Sequence, residues 1–168
     1  MIDTNTSAFS YDYPLLIKQL LYTPMSWNPN QEIVSSSNFR YSYWDFRERI
    51  GKLATGLSSI GLKPGDTVGV MDWDCHRYLE CFFSIPMMGA ILHTINVRLS
   101  AKQILYTINH AEDNVLLVNS DFLTLINQIS KDFERPIKII LLSDNKNNIE
   151  KNIIDEYENL LISSNSNF

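Results

Sequence analysis

From Tyr43 to Ile60 the apolar residues Phe46, Ile50, Leu53, Leu57 and Ile60 recur at alternating intervals of four and three positions, with Arg47, Glu48, Arg49 and Lys52 between them. That spacing places the apolar set on one face of a helix and the charges on the other. Ser42 and Asp45 stand three residues apart at its start, a capping box, with Tyr41 and Phe46 at the two positions of a hydrophobic staple. Gly61 supplies the left-handed stop. Lys63-Pro64-Gly65-Asp66 predicts a tight turn, and the apolar run Thr67 to Met71 predicts a strand after it.

The next stretch, Cys75 to Met88, is apolar all round and predicts a buried helix that Pro86 bends or ends. Ala90 to Ile95 reads as a second buried strand. Ser100 and Gln103 form another capping box, inside a Leu99 and Ile104 staple, opening a helix over about 101–110. Val115 to Val118 and Ile137 to Leu142 are two more strand-like runs, separated by a helical pattern through Phe122, Leu125, Ile126 and Ile129. Alternating strands and helices predict an α/β fold, a mostly parallel sheet covered by helices.

Both ends differ from this middle. Residues 1–30 read as a lead-in segment with a short helix carrying Leu15, Leu16, Leu20 and Leu21 between Pro14 and Pro24. Residues 31–142 read as the α/β subdomain, opening with a strand, a Ser-rich turn and a strand over Glu32 to Tyr43. In 143–168 the composition turns polar, with a helical pattern from Ile149 to Ile162 and a linker-like tail.

Composition narrows the function classes. Of 168 residues 45% are hydrophobic, the profile of an ordinary folded domain. The net charge of −5 leaves no broad basic surface for nucleic acid. No apolar run approaches the roughly 18 residues a membrane-spanning helix requires. Two cysteines and no signal-type opening point to a reducing, cytoplasmic setting.

Candidate chemistry is sparse. The phosphate-loop, dinucleotide, zinc-protease and serine-hydrolase signatures are all absent from the sequence. Thr55-Gly56-Leu57-Ser58-Ser59-Ile60-Gly61 imitates a phosphate loop but lies within the helical pattern, so it reads as helix interior and cap. Cys75 and Cys81 are six apart, too far for a metal pair, and read as buried free thiols. His76, His93 and His110 lack a neighbouring acid or cysteine at ligand or nucleophile spacing and read as structural or surface groups. Glu112-Asp113 reads as a solvated corner after a helix rather than a carboxylate pair. Asn5-Thr6-Ser7 is a formal glycosylation sequon without consequence inside the cell. No catalytic residue and no metal ligand is assigned.

Four segments, however, occur in a familiar order: Arg40-Tyr41-Ser42-Tyr43, then 61–70 (GLKPGDTVGV), 89–99 (GAILHTINVRL) and 108–113 (INHAED). Over roughly Leu15 to Leu142 the chain resembles the N-terminal portion of an acyl-CoA synthetase of the adenylate-forming superfamily. The wording of 92–96 and 109–113 is most similar to its fatty-acyl branch. Val97 departs from the pattern, where many relatives have proline before the matching Arg98.

The resemblance implies the first part of that superfamily's large N-terminal domain. It also implies a two-step reaction in a full-length parent. A carboxylate such as a fatty acid attacks the α-phosphate of ATP, with Mg2+ assisting, and the CoA thiol then displaces AMP to give the thioester. The phosphate loop, the metal ligand, the acyl pocket and the lid lysine lie downstream of the matched region in the family. The resemblance therefore implies a fragment that is inactive by itself. It carries one binding residue across, Arg98, whose counterpart in some relatives lies near the CoA nucleotide; an ordinary surface arginine is the alternative. Two other readings stay open, a small α/β ligand-binding module and a self-association module built on exposed apolar surface.

Overall fold

The computed structural model describes residues 14–36, 39–143 and 153–166. The sequon at Asn5 lies outside them. Five parallel strands form the central sheet: β3 (Thr67–Met71), β4 (Ile91–Thr94), β5 (Val115–Asn119), β6 (Lys138–Leu142) and β7 (Ile153–Glu156), in the order β4-β3-β5-β6-β7. A separate antiparallel pair, β1 (Glu32–Ser36) and β2 (Phe39–Ser42), precedes it. Every residue of β3 is buried, as expected of a central strand covered on both faces.

The helices are α1 (Tyr22–Trp27), α2 (Tyr43–Ser59), α3 (His76–Met87), α4 (Ala101–Ala111), α5 (Leu123–Ile129) and α6 (Tyr157–Ile162). On one face of the sheet, Leu53 and Leu57 of α2, Cys81 and Ile85 of α3 and Tyr157 of α6 pack on Val68, Val70, Leu117 and Ile140. On the other, Ile104 and Ile108 of α4 and Ile126 of α5 pack on Leu116, Val118, Ile139 and Leu141. The result is three layers with the sheet in the middle, because alternate residues of each strand face opposite helices. A third cluster, Leu21, Tyr41, Phe46 and Ile50, seats the lead-in segment.

Both capping boxes form. The Ser42 hydroxyl accepts from Asp45 N at 3.2 Å while the Asp45 carboxylate accepts from Ser42 N at 2.8 Å. Ser100 and Gln103 repeat the arrangement at α4. Gly61 takes φ 94° and Gly65 φ 89°, the left-handed conformations that the helix stop and the turn require.

Four expectations are corrected. The strand after α3 is not buried but lies at the sheet edge, with Ile91 and Thr94 exposed; sequence runs do not reveal which strand ends a sheet. The lead-in helix does not stop before Pro24. A 3₁₀ turn over Ile17–Leu21 leads into α1, where proline in the first turn lacks only an N–H that has no helical partner. In α3 the buried face carries His76, Arg77, Glu80 and Ser84 with Cys81 and Ile85, while Phe82 faces outward. Finally, the pattern ending at Ile162 is a strand followed by a helix. Ile153 is buried and Ile154 exposed, β7 pairs with β6, and Glu156 caps α6 by accepting from Asn159 N at 3.2 Å. Residues 149–152 lie outside the described residues.

Candidate functional site

In open α/β sheets ligands bind beyond the carboxyl ends of the strands, where the chain reverses its direction of winding. Here that place is between β3 and β5, since β4 is added on one side of β3 and β5 on the other. Asp72 follows β3 and is almost wholly buried. Its carboxylate accepts from Trp73 N at 2.8 Å, from Asn119 Nδ2 at 2.6 Å and from the Cys75 thiol at 2.9 Å. The Trp73 indole donates to Asp121 at 2.9 Å and packs on Phe122, with ring centroids 5.0 Å apart. These bonds tie the ends of β3 and β5 together, so Asp72 serves as a clamp.

Cys75 and Cys81 are free, as expected, although Cys75 is only partly buried. Burial, and then the hydrogen bond to Asp72, push the Cys75 thiol up to about 11. It is therefore protonated at neutral pH and a poor nucleophile. Burial likewise raises the fully buried Cys81 well above the ordinary thiol value. Thr55 to Ser59 lie within α2, consistent with helix interior rather than a phosphate loop.

Arg98 stands exposed in the loop between β4 and α4. Asn96 shapes this turn: its side-chain oxygen accepts from Arg98 N at 3.0 Å and its carbonyl from Leu99 N at 3.2 Å. Arg98 therefore follows the carboxyl end of the edge strand β4 rather than either strand of the β3–β5 crevice.

Two polar clusters escaped the sequence reading. In the first, Arg49 of α2 binds Glu80 of α3 at 2.7 Å and Glu158 of α6 through both terminal nitrogens, at 2.9 and 2.8 Å. The Tyr157 hydroxyl donates to Glu80 at 2.6 Å, and Glu80 is 0% exposed. His76 lies 3.9 Å from Glu158 and stacks on Phe39 with centroids 3.8 Å apart. Burial works to raise the Glu158 carboxyl, but His76, Arg49 and Arg77 together hold it at about 2. The carboxylate pairing spans 109 residues of sequence, beyond any local spacing rule.

In the second cluster, His93 Nδ1 meets Asp113 Oδ2 at 2.9 Å. The expectation of a solvated Glu112-Asp113 corner is corrected here. Glu112 is exposed and left-handed, φ 58°, which reverses the chain and turns Asp113 fully inward. Among the described residues its Oδ1 has no hydrogen-bond partner. Burial raises the Asp113 carboxyl despite the opposing pull of His93 and Arg135. His110, by contrast, is a surface residue stacked on Tyr106. Among the described residues no group of three or more histidines, cysteines and carboxylates is placed to hold a metal ion.

Comparison with known proteins adds what this geometry alone does not carry. A family model described as AMP-binding enzyme matches residues 25–163. The chain is 32% identical over 160 residues to the medium-chain-fatty-acid–CoA ligase of Ectopseudomonas oleovorans, an alignment covering 92% of this chain and 29% of that protein. It is 43% identical over 90 residues to the long-chain-fatty-acid–CoA ligase of Thermus thermophilus, covering 54% of this chain and 17% of that protein. In fold it superposes on the anthranilate CoA ligase AuaEII, solved with anthranoyl-AMP, with a TM-score of 0.80 at 19% identity over 94% of this chain and 29% of that one. The coronafacic acid ligase of Pectobacterium brasiliense gives 0.77 at 20% identity, covering 89% of this chain and 30% of that chain. The chain thus spans less than a third of the length of these relatives.

Proposed function

Because the chain belongs to the AMP-binding enzyme family, we propose that it is the N-terminal part of an ATP-dependent fatty acyl-CoA synthetase, inactive by itself. The observation that carries this reading is the alignment with a medium-chain-fatty-acid–CoA ligase across 92% of the chain. In the complete enzyme a fatty acid is first adenylated by ATP and the acyl group then passes to CoA. Among the described residues no group of three or more histidines, cysteines and carboxylates could hold a metal ion, and the Asp72 carboxylate already accepts from three donors. No step of the reaction is assigned to the described residues. Arg98, at the carboxyl-end face of β4, is the one residue proposed to meet CoA, as a guanidinium paired with a phosphate.

This part of the enzyme supplies scaffold: the central β3–β5 pair and the helices that brace it. The test is a chimera in which this chain replaces the matching segment of the Ectopseudomonas oleovorans ligase. Fatty-acyl-CoA formation by the chimera, with no pyrophosphate–ATP exchange by the isolated chain, is the expected result. A folded chimera unable to activate any fatty acid, or exchange activity in the chain alone, overturns the reading.

A further inference from the structure

Among the described residues four strands have one unpaired side: β1, β2, β4 and β7. Charges and breaks in register keep such edges from pairing with another chain, and three of the four carry them. β1 holds Glu32, β2 holds Arg40, and their ladder shifts register between Val34 and Ser36. β7 holds Asp155 and Glu156 and shifts register against β6. β4 has neither device: Ile91-Leu92-His93-Thr94 contains no lysine, carboxylate or proline, stays in register with β3 throughout, and leaves Ile91 54% exposed. Ile91 N donates to Asp66 O at 2.8 Å and Ile95 N to Val70 O at 3.0 Å. Main-chain groups alternate sides along a strand, so Ile91, His93 and Ile95 serve β3, while the N–H and C=O of Leu92 and Thr94 face outward. Among the described residues no backbone group bonds to them. The flanking groups are already taken: Ala90 N donates to Ile85 O at 3.1 Å, and Asn96 O accepts from Leu99 N at 3.2 Å.

We propose that this edge takes a second copy of the chain, the two β4 strands running antiparallel about a two-fold axis at His93 and joining the two sheets into one. In that register Leu92 of each copy faces Thr94 of the other, and the outward groups of both are satisfied together. A slip of one residue turns them against groups already bonded to β3. A slip of two sets one of them against Ala90 or Asn96, whose own groups are engaged. The same axis covers the exposed Ile91 with Ile95 of the second copy, an apolar cross-strand pair. From Ala90 to Val97 there is no lysine, arginine or carboxylate, so the pairing opposes no such charges. His93, the one titratable side chain there, is turned to Asp113 of its own copy at 2.9 Å. The inference rests on this edge and is independent of the reaction proposed above.

Sedimentation equilibrium and amide hydrogen exchange of the full chain test it. The expected result is a monomer–dimer equilibrium in which the amides of Leu92 and Thr94 exchange at least tenfold more slowly in the dimer than in the monomer. Ile91→Lys sets a charge on the edge, and Thr94→Pro removes an outward N–H without removing a bond to β3. Each weakens the dimer at least tenfold, and circular dichroism verifies that both variants fold. A chain that stays monomeric at high micromolar concentration, or a dimer indifferent to Ile91→Lys, overturns the inference. So does slow exchange at Leu92 and Thr94 that does not depend on concentration, which means that another stretch of the same chain covers the edge.

Discussion

His93 Nδ1 lies 2.9 Å from Asp113 Oδ2, joining the edge strand β4 to the approach to β5. Gly69 of β3 makes the contact possible. It is in register with both His93 and Leu116, and a Cβ there would stand 2.8 Å from the Asp113 carboxylate and 2.5 Å from the Leu116 side chain. Asp113→Ala removes the partner of His93 Nδ1, which stays partly open to water on the edge strand, a loss of ~0.5–1.5 kcal/mol in urea unfolding. His93→Ala combined with Asp113→Ala costs less than the sum of the two single changes, because the residues share one interaction. Strictly additive losses would show that the contact contributes nothing.

The Arg49 network is the corresponding tie on the opposite face. Removing one partner of a buried ion pair leaves the other charge uncompensated, so Arg49→Met exposes Glu80 to the full desolvation penalty and destabilises the chain by ~3–5 kcal/mol. The Arg49→Met/Glu80→Leu double variant recovers part of that loss, since the fully buried Glu80 charge is removed together with its partner. Guanidinium unfolding followed by circular dichroism measures both; a double variant less stable than Arg49→Met contradicts the account.

Glu158 sets an acid limit. Its carboxyl stands at about 2 in the folded chain against an ordinary 4.5. Between those values the unfolded chain binds more protons than the folded one, so stability rises with pH through the window. The contribution is complete above the ordinary value and disappears as pH falls towards 2. Glu158→Gln is therefore less stable than the unsubstituted chain at pH 6, and the gap narrows steadily from pH 5 to pH 3. Urea midpoints measured at each pH decide it, and a constant gap would assign the acid sensitivity elsewhere.

Local signals carried most of the fold. Ser42 with Asp45, Ser100 with Gln103, Gly61 and the turn at Pro64-Gly65 act within a few residues, so their geometry follows from spacing. What spacing does not hold is who lies beside whom. The edge position of β4 depends on strand order, and the buried acids depend on partners far along the chain, Glu80 and Glu158 with Arg49, Asp113 with His93. An apolar helix pattern also hid polar residues pointing inward, because Phe82 outside and Glu80 inside invert the usual rule. Gly69 inside a strand was the one available hint of a close approach beneath it. Arg98 came from the family resemblance rather than from its own surroundings, and the structure adds its place on the carboxyl-end face.

Gly56 tests the packing of α6. A Cβ at this position in α2 would meet Leu160 Cγ at 2.6 Å and Ser164 Oγ at 3.0 Å. Alanine gains ~0.5–1 kcal/mol of helix propensity over glycine, but the overlap with α6 costs ~1–3 kcal/mol, so the clash prevails. Gly56→Ala lowers the melting temperature and speeds amide exchange in α6 before that in β3. Unchanged exchange in α6 would mean that Leu160 moves aside without loss.

Arg98 is the residue through which the proposed CoA contact is tested. The Asn96 turn holds the Arg98 backbone N–H in the loop that follows β4, so its main chain is already ordered. A charge-assisted pair with a phosphate contributes ~1.5–3 kcal/mol, and losing its lower bound weakens binding roughly tenfold. In the active chimera, Arg98→Ala accordingly raises the apparent KM for CoA about tenfold and leaves the apparent KM for ATP and for the fatty acid unchanged. Arg98→Lys retains the charge but not the paired donor geometry and falls between the two. An Asn96→Ala variant, which frees the turn while keeping Arg98, raises the KM for CoA by a smaller factor. If Arg98→Ala leaves the KM for CoA as it was, the side chain is a surface arginine and the CoA phosphates are held elsewhere.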